Sequence, residues 1–133
     1  MREIGSITVP IKPMGAPRPR VTRYGTHNPK AYTDYKEAIR LAWVAKHKGY
    51  PVDGPVHMRA SFVFAKPKSW TKKRKAEAKW HTRRPDLDNL IKSVKDALNA
   101  VAYRDDAQVF SIKADKLDGD HDAVVVTIYE VEE

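Results

Sequence analysis

An α+β domain, with a mixed β-sheet packed against two main α-helices, is the fold class this 133-residue sequence predicts. Three observations lead there. Val56, Met58, Ala60, Phe62 and Phe64 alternate with His57, Arg59 and Ser61, the period of a strand with one buried face. Leu90, Ile91, Val94, Ala97, Leu98 and Val101 recur at helical spacing and form one apolar stripe. Residues 109–116 and 123–131 read as two further strands separated by a turn signal.

Taken in order, Ile4, Ser6 and Thr8 with the interleaved Ile7, Val9 and Ile11 predict a first strand. Residues 12–29 read as a loop, punctuated by Pro13, Gly15, Pro17, Pro19, Gly25 and Pro29. Thr33 or Asp34 caps a helix running to about Lys48, with Asp34 and Glu37 enriching its start in acid, as the helix dipole favours. Its apolar face is Tyr35, Ala38, Ile39, Ala42 and Trp43, and Gly49 and Pro51 stop it. After the strand at 56–64, residues 69–79 predict a short, very basic helix capped by Ser69 and flanked by Trp70 and Trp80. Asp86 or Asp88 opens a longer helix to about Ala102. Gly119 and its acidic neighbours predict a hairpin turn between the last two strands. The order is β, α, β, short α, α, β, β. Without repeats or a low-complexity linker, residues 1–133 are expected to form one domain.

Composition narrows the function classes. At 41% hydrophobic residues the chain fills one core and is too short for two. The net charge of +8 favours a polyanionic partner, either nucleic acid or an anionic membrane surface, and charge alone does not choose between them. The absence of cysteine excludes disulfides, thiolate zinc sites and cysteine nucleophiles. The five histidines show no metal-ligand spacing, and no GxxxxGK phosphate loop is present, so no small-molecule cofactor is expected. The N-terminal residues lack the pattern of a signal peptide, and no apolar run approaches the roughly 20 residues that span a bilayer. A soluble cytoplasmic protein without membrane attachment is the expectation.

Most of the chemistry lies in the run from Arg84 through Pro85, Asp86, Leu87, Asp88, Asn89, Leu90 and Ile91 to Lys92, followed by Asp105 and Asp106. Asp86 and Asp88 converge if Asp86 is extended just before the helix and Asp88 lies in its first turn. With one of Asp105 or Asp106 they would suffice for Mg²⁺, which takes a few carboxylates and keeps several waters. Lys92, one turn beyond Asp88, could contact a scissile phosphate or stabilise developing charge. The predicted helix spans on the order of 20 Å, so the chain must run back for the second acidic pair to meet the first. Each residue also has an ordinary reading: Asp86 or Asp88 as a cap, Lys92 as the surface ion-pair partner of Asp88, Asp105 and Asp106 as turn residues. An acidic metal pocket in a basic chain is what cleavage of a phosphodiester needs.

The contacts for a polyanion would come from Lys72, Lys73, Arg74 and Lys75, from Arg83 and Arg84, and from Arg18 and Arg20 in the proline-stiffened loop. Trp70, Trp80, Tyr24 and Tyr103 could stack on bases, although the tryptophans are expected to be partly core. The tail, with Asp118, Asp120, Asp122, Glu130, Glu132 and Glu133, is acidic, so the positive charge is gathered on one face.

At these residues the chain resembles the RusA family of Holliday-junction resolvases. The Pro17-Arg18-Pro19-Arg20 loop, residues 32–35, Ser69-Trp70 with the following lysines, the 84–92 run, Asp96-Ala97-Leu98-Asn99 and residues 105–109 carry the resemblance, over nearly the whole chain. It implies a homodimeric, Mg²⁺-dependent endonuclease, with Mn²⁺ as a substitute ion, that binds four-way DNA junctions and nicks two strands symmetrically. By position it implies Asp86, Asp88 and Asp106 as the metal-binding carboxylates, Lys92 as the essential lysine and Asp105 as a neighbour. The 99–104 link lacks the glycine often found there in the family. The alternatives from other classes are a non-catalytic basic DNA-binding module, whose aspartates are caps and turn residues, and a basic protein that coats a polyanion.

Overall fold

In chain order the protein forms β1 (Arg2–Val9), β2 (Arg20–Thr22), β3 (Gly25–His27), α1 (Lys30–Lys46), β4 (Val56–Ala65), α2 (Lys72–Glu77), α3 (Leu87–Leu98), a 3₁₀ turn (Asp106–Gln108), β5 (Val109–Gly119) and β6 (Ala123–Glu130). This computed structural model describes residues 1–17, 20–23, 25–27 and 29–132. Arg18, Pro19, Tyr24, Asn28 and Glu133 lie outside the described residues.

β1, β6, β4 and β5 build one sheet in that order, and β2 with β3 forms a separate small ribbon. β6 is antiparallel to both β1 and β4, whereas β4 and β5 run parallel. One face of the sheet carries the alternating residues the sequence predicts: Val56, Met58, Ala60, Phe62 and Phe64 of β4, Val124, Val126 and Ile128 of β6, and Ile7 and Val9 of β1 are all buried. Against them lie Ile39 and Trp43 of α1 and Leu90, Val94, Ala97 and Leu98 of α3. Each Val, Leu, Ile, Phe or Met side chain among them taken out of water contributes about 1.5–3 kcal/mol. The α+β class, the central strand and the two packed helices are therefore as the patterns predict.

Several boundaries and one connection differ. The span 12–29 is not all loop, because β2 and β3 pair antiparallel within it, Val21 opposite Thr26. α1 starts at Lys30 rather than at Thr33 or Asp34. Pro29 is its N-cap and no acid stands in its first turn; proline's fixed φ suits that boundary. Tyr32 consequently joins the buried face. α2 is shorter than 69–79, because Thr71 rather than Ser69 caps it, accepting from the Arg74 amide at 3.1 Å. α3 ends at Leu98, not near Ala102. Ala100 adopts a positive φ of 65°, which breaks the helical path and turns the chain back so that Tyr103 is buried. The glycine-poor link is thus accommodated by an alanine in the left-handed region, a conformation that costs a non-glycine residue energy.

The predicted hairpin between the last two strands is absent. β5 and β6 flank β4 on opposite edges. Their connection passes over the end of β4, where the Lys66 amide donates to the Gly119 carbonyl at 2.9 Å and the Ala65 amide to Asp122 Oδ1 at 2.8 Å. A Cβ on Gly119 would stand 2.6 Å from Val63 Cγ1, so glycine is what permits the close crossing. The parallel β4–β5 pair needs a long crossover, and α2 and α3 supply it.

Candidate active site

α3 presents its N-terminus to solvent because its apolar stripe anchors the opposite side. Leu90, Val94, Ala97 and Leu98 are fully buried, which leaves Asp88 and Lys92 exposed on the outer face. Asp86 occupies the N-cap with extended backbone angles, and its carbonyl accepts from the Leu90 amide at 3.2 Å. Its carboxylate makes no capping bond. Asp88 and Lys92 do not pair with each other either. Two carboxylates and an ammonium thus share the start of α3 with no protein partner among the described residues, and the cap and ion-pair readings are not realised. Exposed oxygen donors with free lone pairs fit Mg²⁺, which keeps several of its waters.

The turn that leads into Asp86 contains a cis Arg84–Pro85 bond and is tied to the end of the sheet. His81 is buried and stacks on Phe64, with centroids 3.9 Å apart and planes 13° from parallel. Its Nδ1 lies 2.8 Å from Asp118 Oδ1, and its Nε2 lies 3.2 Å from the Arg84 carbonyl oxygen. Arg83 Nη2 donates to Asp118 at 3.2 Å, and Lys116 Nζ donates to the Arg83 carbonyl at 2.5 Å. Gly15 faces the same turn from the other side, beside Pro85 and Asn89, and the Ala16 amide donates to the Asn89 carbonyl at 3.1 Å.

Asp106 stands elsewhere. Its amide donates to the side-chain oxygen of Asn99 at 2.9 Å, which places it at the C-terminal end of α3. The Asp105 amide donates to Gln108 Oε1 at 2.8 Å. Asp106 and Asp96 surround the buried Tyr103, whose hydroxyl donates to the Lys95 carbonyl at 2.8 Å. Burial first, and then these two negative charges, push the Tyr103 hydroxyl above its ordinary range, so it stays a donor. Burial first, and then the Asp96 carboxylate, raise the Tyr32 hydroxyl as well, and it donates to Asp96 Oδ2 at 3.2 Å. α3 has 12 residues, so its ends are about 18 Å apart. Within one chain Asp86, Asp88 and Lys92 therefore belong to the N-terminal half of α3, and Asp106 lies at its other end. Among the described residues no three acidic or histidine side chains converge on one ion.

Positive charge collects beside Asp86. A cavity of about 1060 Å³ is lined by Lys12, Lys66, Lys68, Arg83 and Arg84 together with Asp86 and Asn89. Lys12, Lys66 and Lys68 are absent from the contacts predicted for a polyanion, although they belong to the same basic segments; only the fold shows that those segments meet. Lys72, Lys73 and Arg74 are exposed on α2, while Lys75 is half-buried and its carbonyl accepts from Lys66 Nζ at 2.5 Å. The Arg74 and Arg83 guanidinium groups lie over the Trp70 ring at 4.0 and 4.8 Å, which joins α2 to the turn before α3. Arg20 has a place in β2, and its pairing partner is His27. The aromatic expectations need correction. Tyr103 is fully buried and offers no face to a base, and Trp80, expected to be partly core, is 57% exposed.

The family model described as Endodeoxyribonuclease RusA matches residues 10–129 of the chain. Among known proteins, the uncharacterized protein YqaN of Bacillus subtilis (strain 168) is 32% identical over 125 residues, 88% of this chain and 88% of the relative. A crossover junction endodeoxyribonuclease rusA of Lactococcus phage r1t is 32% identical over 78 residues, 58% of this chain and 56% of the phage protein.

Proposed function

We propose that this chain, which belongs to the RusA endodeoxyribonuclease family and is accordingly a nuclease, resolves four-way DNA junctions by paired, symmetric, Mg²⁺-dependent nicks as a homodimer. The observation that carries the reading is the Asp86 carboxylate, which lines a cation-lined cavity, with Asp88 exposed two residues on, neither paired with another described side chain. Cations there would hold the phosphodiester backbone, whose contacts position DNA without reading its sequence. Lys92 would face the scissile phosphate and stabilise charge on its oxygens. When bound, a divalent ion supplies polarisation of the phosphoryl oxygen and a more acidic water. Residues 1–133 act as one endonuclease domain in this reading, in the cytoplasm of a bacterial or phage-infected cell.

The position of Asp106 supports the homodimer. A two-fold axis that sets the α3 helices of two chains antiparallel would carry the partner's Asp106 toward Asp86 and Asp88. A junction has approximate two-fold symmetry, so two such sites would address equivalent strands.

The test is cleavage of a synthetic four-way junction and a matched linear duplex, with Mg²⁺ or EDTA, by wild type and Asp88→Asn. Paired nicks in the junction alone, dependent on Mg²⁺ and lost in the variant while junction binding stays intact or strengthens, are the expected result. Wild-type cutting by Asp88→Asn removes the catalytic assignment. Binding without cutting, across junction sequences, would instead make the protein a non-catalytic DNA-binding module.

A further inference from the structure

We propose that His81, held by Asp118, is a positioning residue that sets the Arg84-Pro85-Asp86 turn and thereby the affinity of the Asp86–Asp88 pair for a divalent ion. The proposal rests on the reading of those carboxylates as metal ligands. On its C-terminal side Asp86 is supported by its carbonyl, which joins the first turn of α3. On its N-terminal side, among the described residues, the backbone of the turn is held by two hydrogen bonds, to the Arg84 carbonyl from His81 Nε2 and to the Arg83 carbonyl from Lys116 Nζ.

His81 is built to be rigid. Its side chain is 5% exposed and that of Asp118 is 2% exposed. Its amide donates to the Lys116 carbonyl at 3.1 Å, the Asp118 amide donates to the Lys79 carbonyl at 2.9 Å, and Trp80 bridges to Leu117. Residues 79–81 are thereby laced to the outer edge of β5 next to the end of the sheet, and the ring is clamped against Phe64 of β4. Nδ1 faces both Asp118 Oδ1 and Arg83 Nη2, whereas the partner of Nε2 is the Arg84 carbonyl, an acceptor, so the bond that reaches the turn is one that Nε2–H donates. An apolar side chain of similar size would fill this space as well. The choice of a buried imidazole and carboxylate, at a cost in desolvation, is explained by the bond that the imidazole extends to Arg84. An outer partner that orients a metal-ligating segment has a recognised effect on affinity, about tenfold or more when removed.

Mn²⁺ binding, read by the electron spin resonance of the free ion in the absence of DNA, separates positioning from mere folding. His81→Ala should weaken Mn²⁺ binding about tenfold. His81→Gln places an amide N–H near the Nε2 position and should recover most of that loss. His81→Asn places one near Nδ1 and should not, although its melting temperature falls as much as that of the glutamine variant. Equal Mn²⁺ affinity in His81→Gln and His81→Asn, or wild-type affinity in His81→Ala, overturns the proposal; the Gln and Asn pair decides it even if the alanine variant fails to fold. Asp86→Asn is the control. If that variant binds Mn²⁺ like wild type, the ligand assignment has failed and the proposal falls with it. If Asp86→Asn loses binding while the three His81 variants do not differ from wild type, the positioning role alone has failed.

Discussion

At Gly15 a Cβ would stand 3.2 Å from Pro85 Cβ and 3.3 Å from Asn89 Cβ, so the loop after β1 touches both the turn before α3 and its first helical turn. Those two segments carry Asp86 and Asp88, and the missing side chain sets how closely the loop closes on them. Gly15→Val adds atoms to an already tight contact, where overpacking costs about 1–3 kcal/mol. The variant should remain folded, with a melting temperature lower by several degrees, yet lose most junction cutting because the turn is pushed off its seat. Unfolding curves and cleavage rates measured together check this; an unchanged rate would mean that the loop does not position the carboxylates. The same scale shows why side-chain identity alone says little about role. Asp86 sits where a capping aspartate belongs and does not cap, while Asn99, with no role of its own predicted, holds the Asp106 amide.

Among the helices, α2 has no buried residue. It has six residues, and its Thr71 cap and the Arg74–Trp70–Arg83 stack tie it to the rest of the chain. A helix this short does not persist on propensity alone, so its four basic residues are best explained by what they face. Reversing Lys73 and Arg74 to Glu should weaken binding to every DNA, branched or linear. If both residues contact phosphates, the slope of log affinity against log salt should flatten by about 2. Titrations at several salt concentrations test this, and an unchanged slope would remove α2 from the DNA-binding surface. α3 behaves in the opposite way. Its buried stripe fixes its rotation, and rotation is what sends Asp88 and Lys92 outward.

For the whole molecule, the separation of Asp106 from the α3 N-terminus is the feature with the largest consequence. If each active site combines carboxylates from two chains, Asp88→Asn and Asp106→Asn are each inactive alone, yet a mixed dimer keeps one intact site. Co-expressed chains that exchange at random would hold about a quarter of the wild-type sites. Those sites should make single nicks rather than paired ones on a four-way junction. Recovery of nicking in the mixture is the expected outcome. A mixture as dead as its components would place all the ligands of a site within one chain.

The α+β class, the central strand and the helix bearing Asp86 and Asp88 follow from periodicity, because a strand or helix with one buried face writes its period into the chain. Val56 to Phe64 and Leu90 to Leu98 are as plain in the sequence as in the fold. The acidic run and the excess of Lys and Arg likewise carry the family resemblance before any contact is known. Which strands neighbour one another was not legible. Residues 109–116 and 123–131 look like a hairpin because nearness in sequence favours pairing, but the hydrogen bonds of Ala65 and Lys66 carry the chain across β4 instead. Nor could the stripe show that α3 stops at Leu98, since Val101 continues the period; the left-handed Ala100 ends it so that Tyr103 can be buried. The His81–Asp118 pair, 37 residues apart, became visible only when β5 closed beside the 79–81 segment. Local pattern determined which faces are apolar and which residues can do chemistry, whereas long-range packing alone decided which of those residues meet.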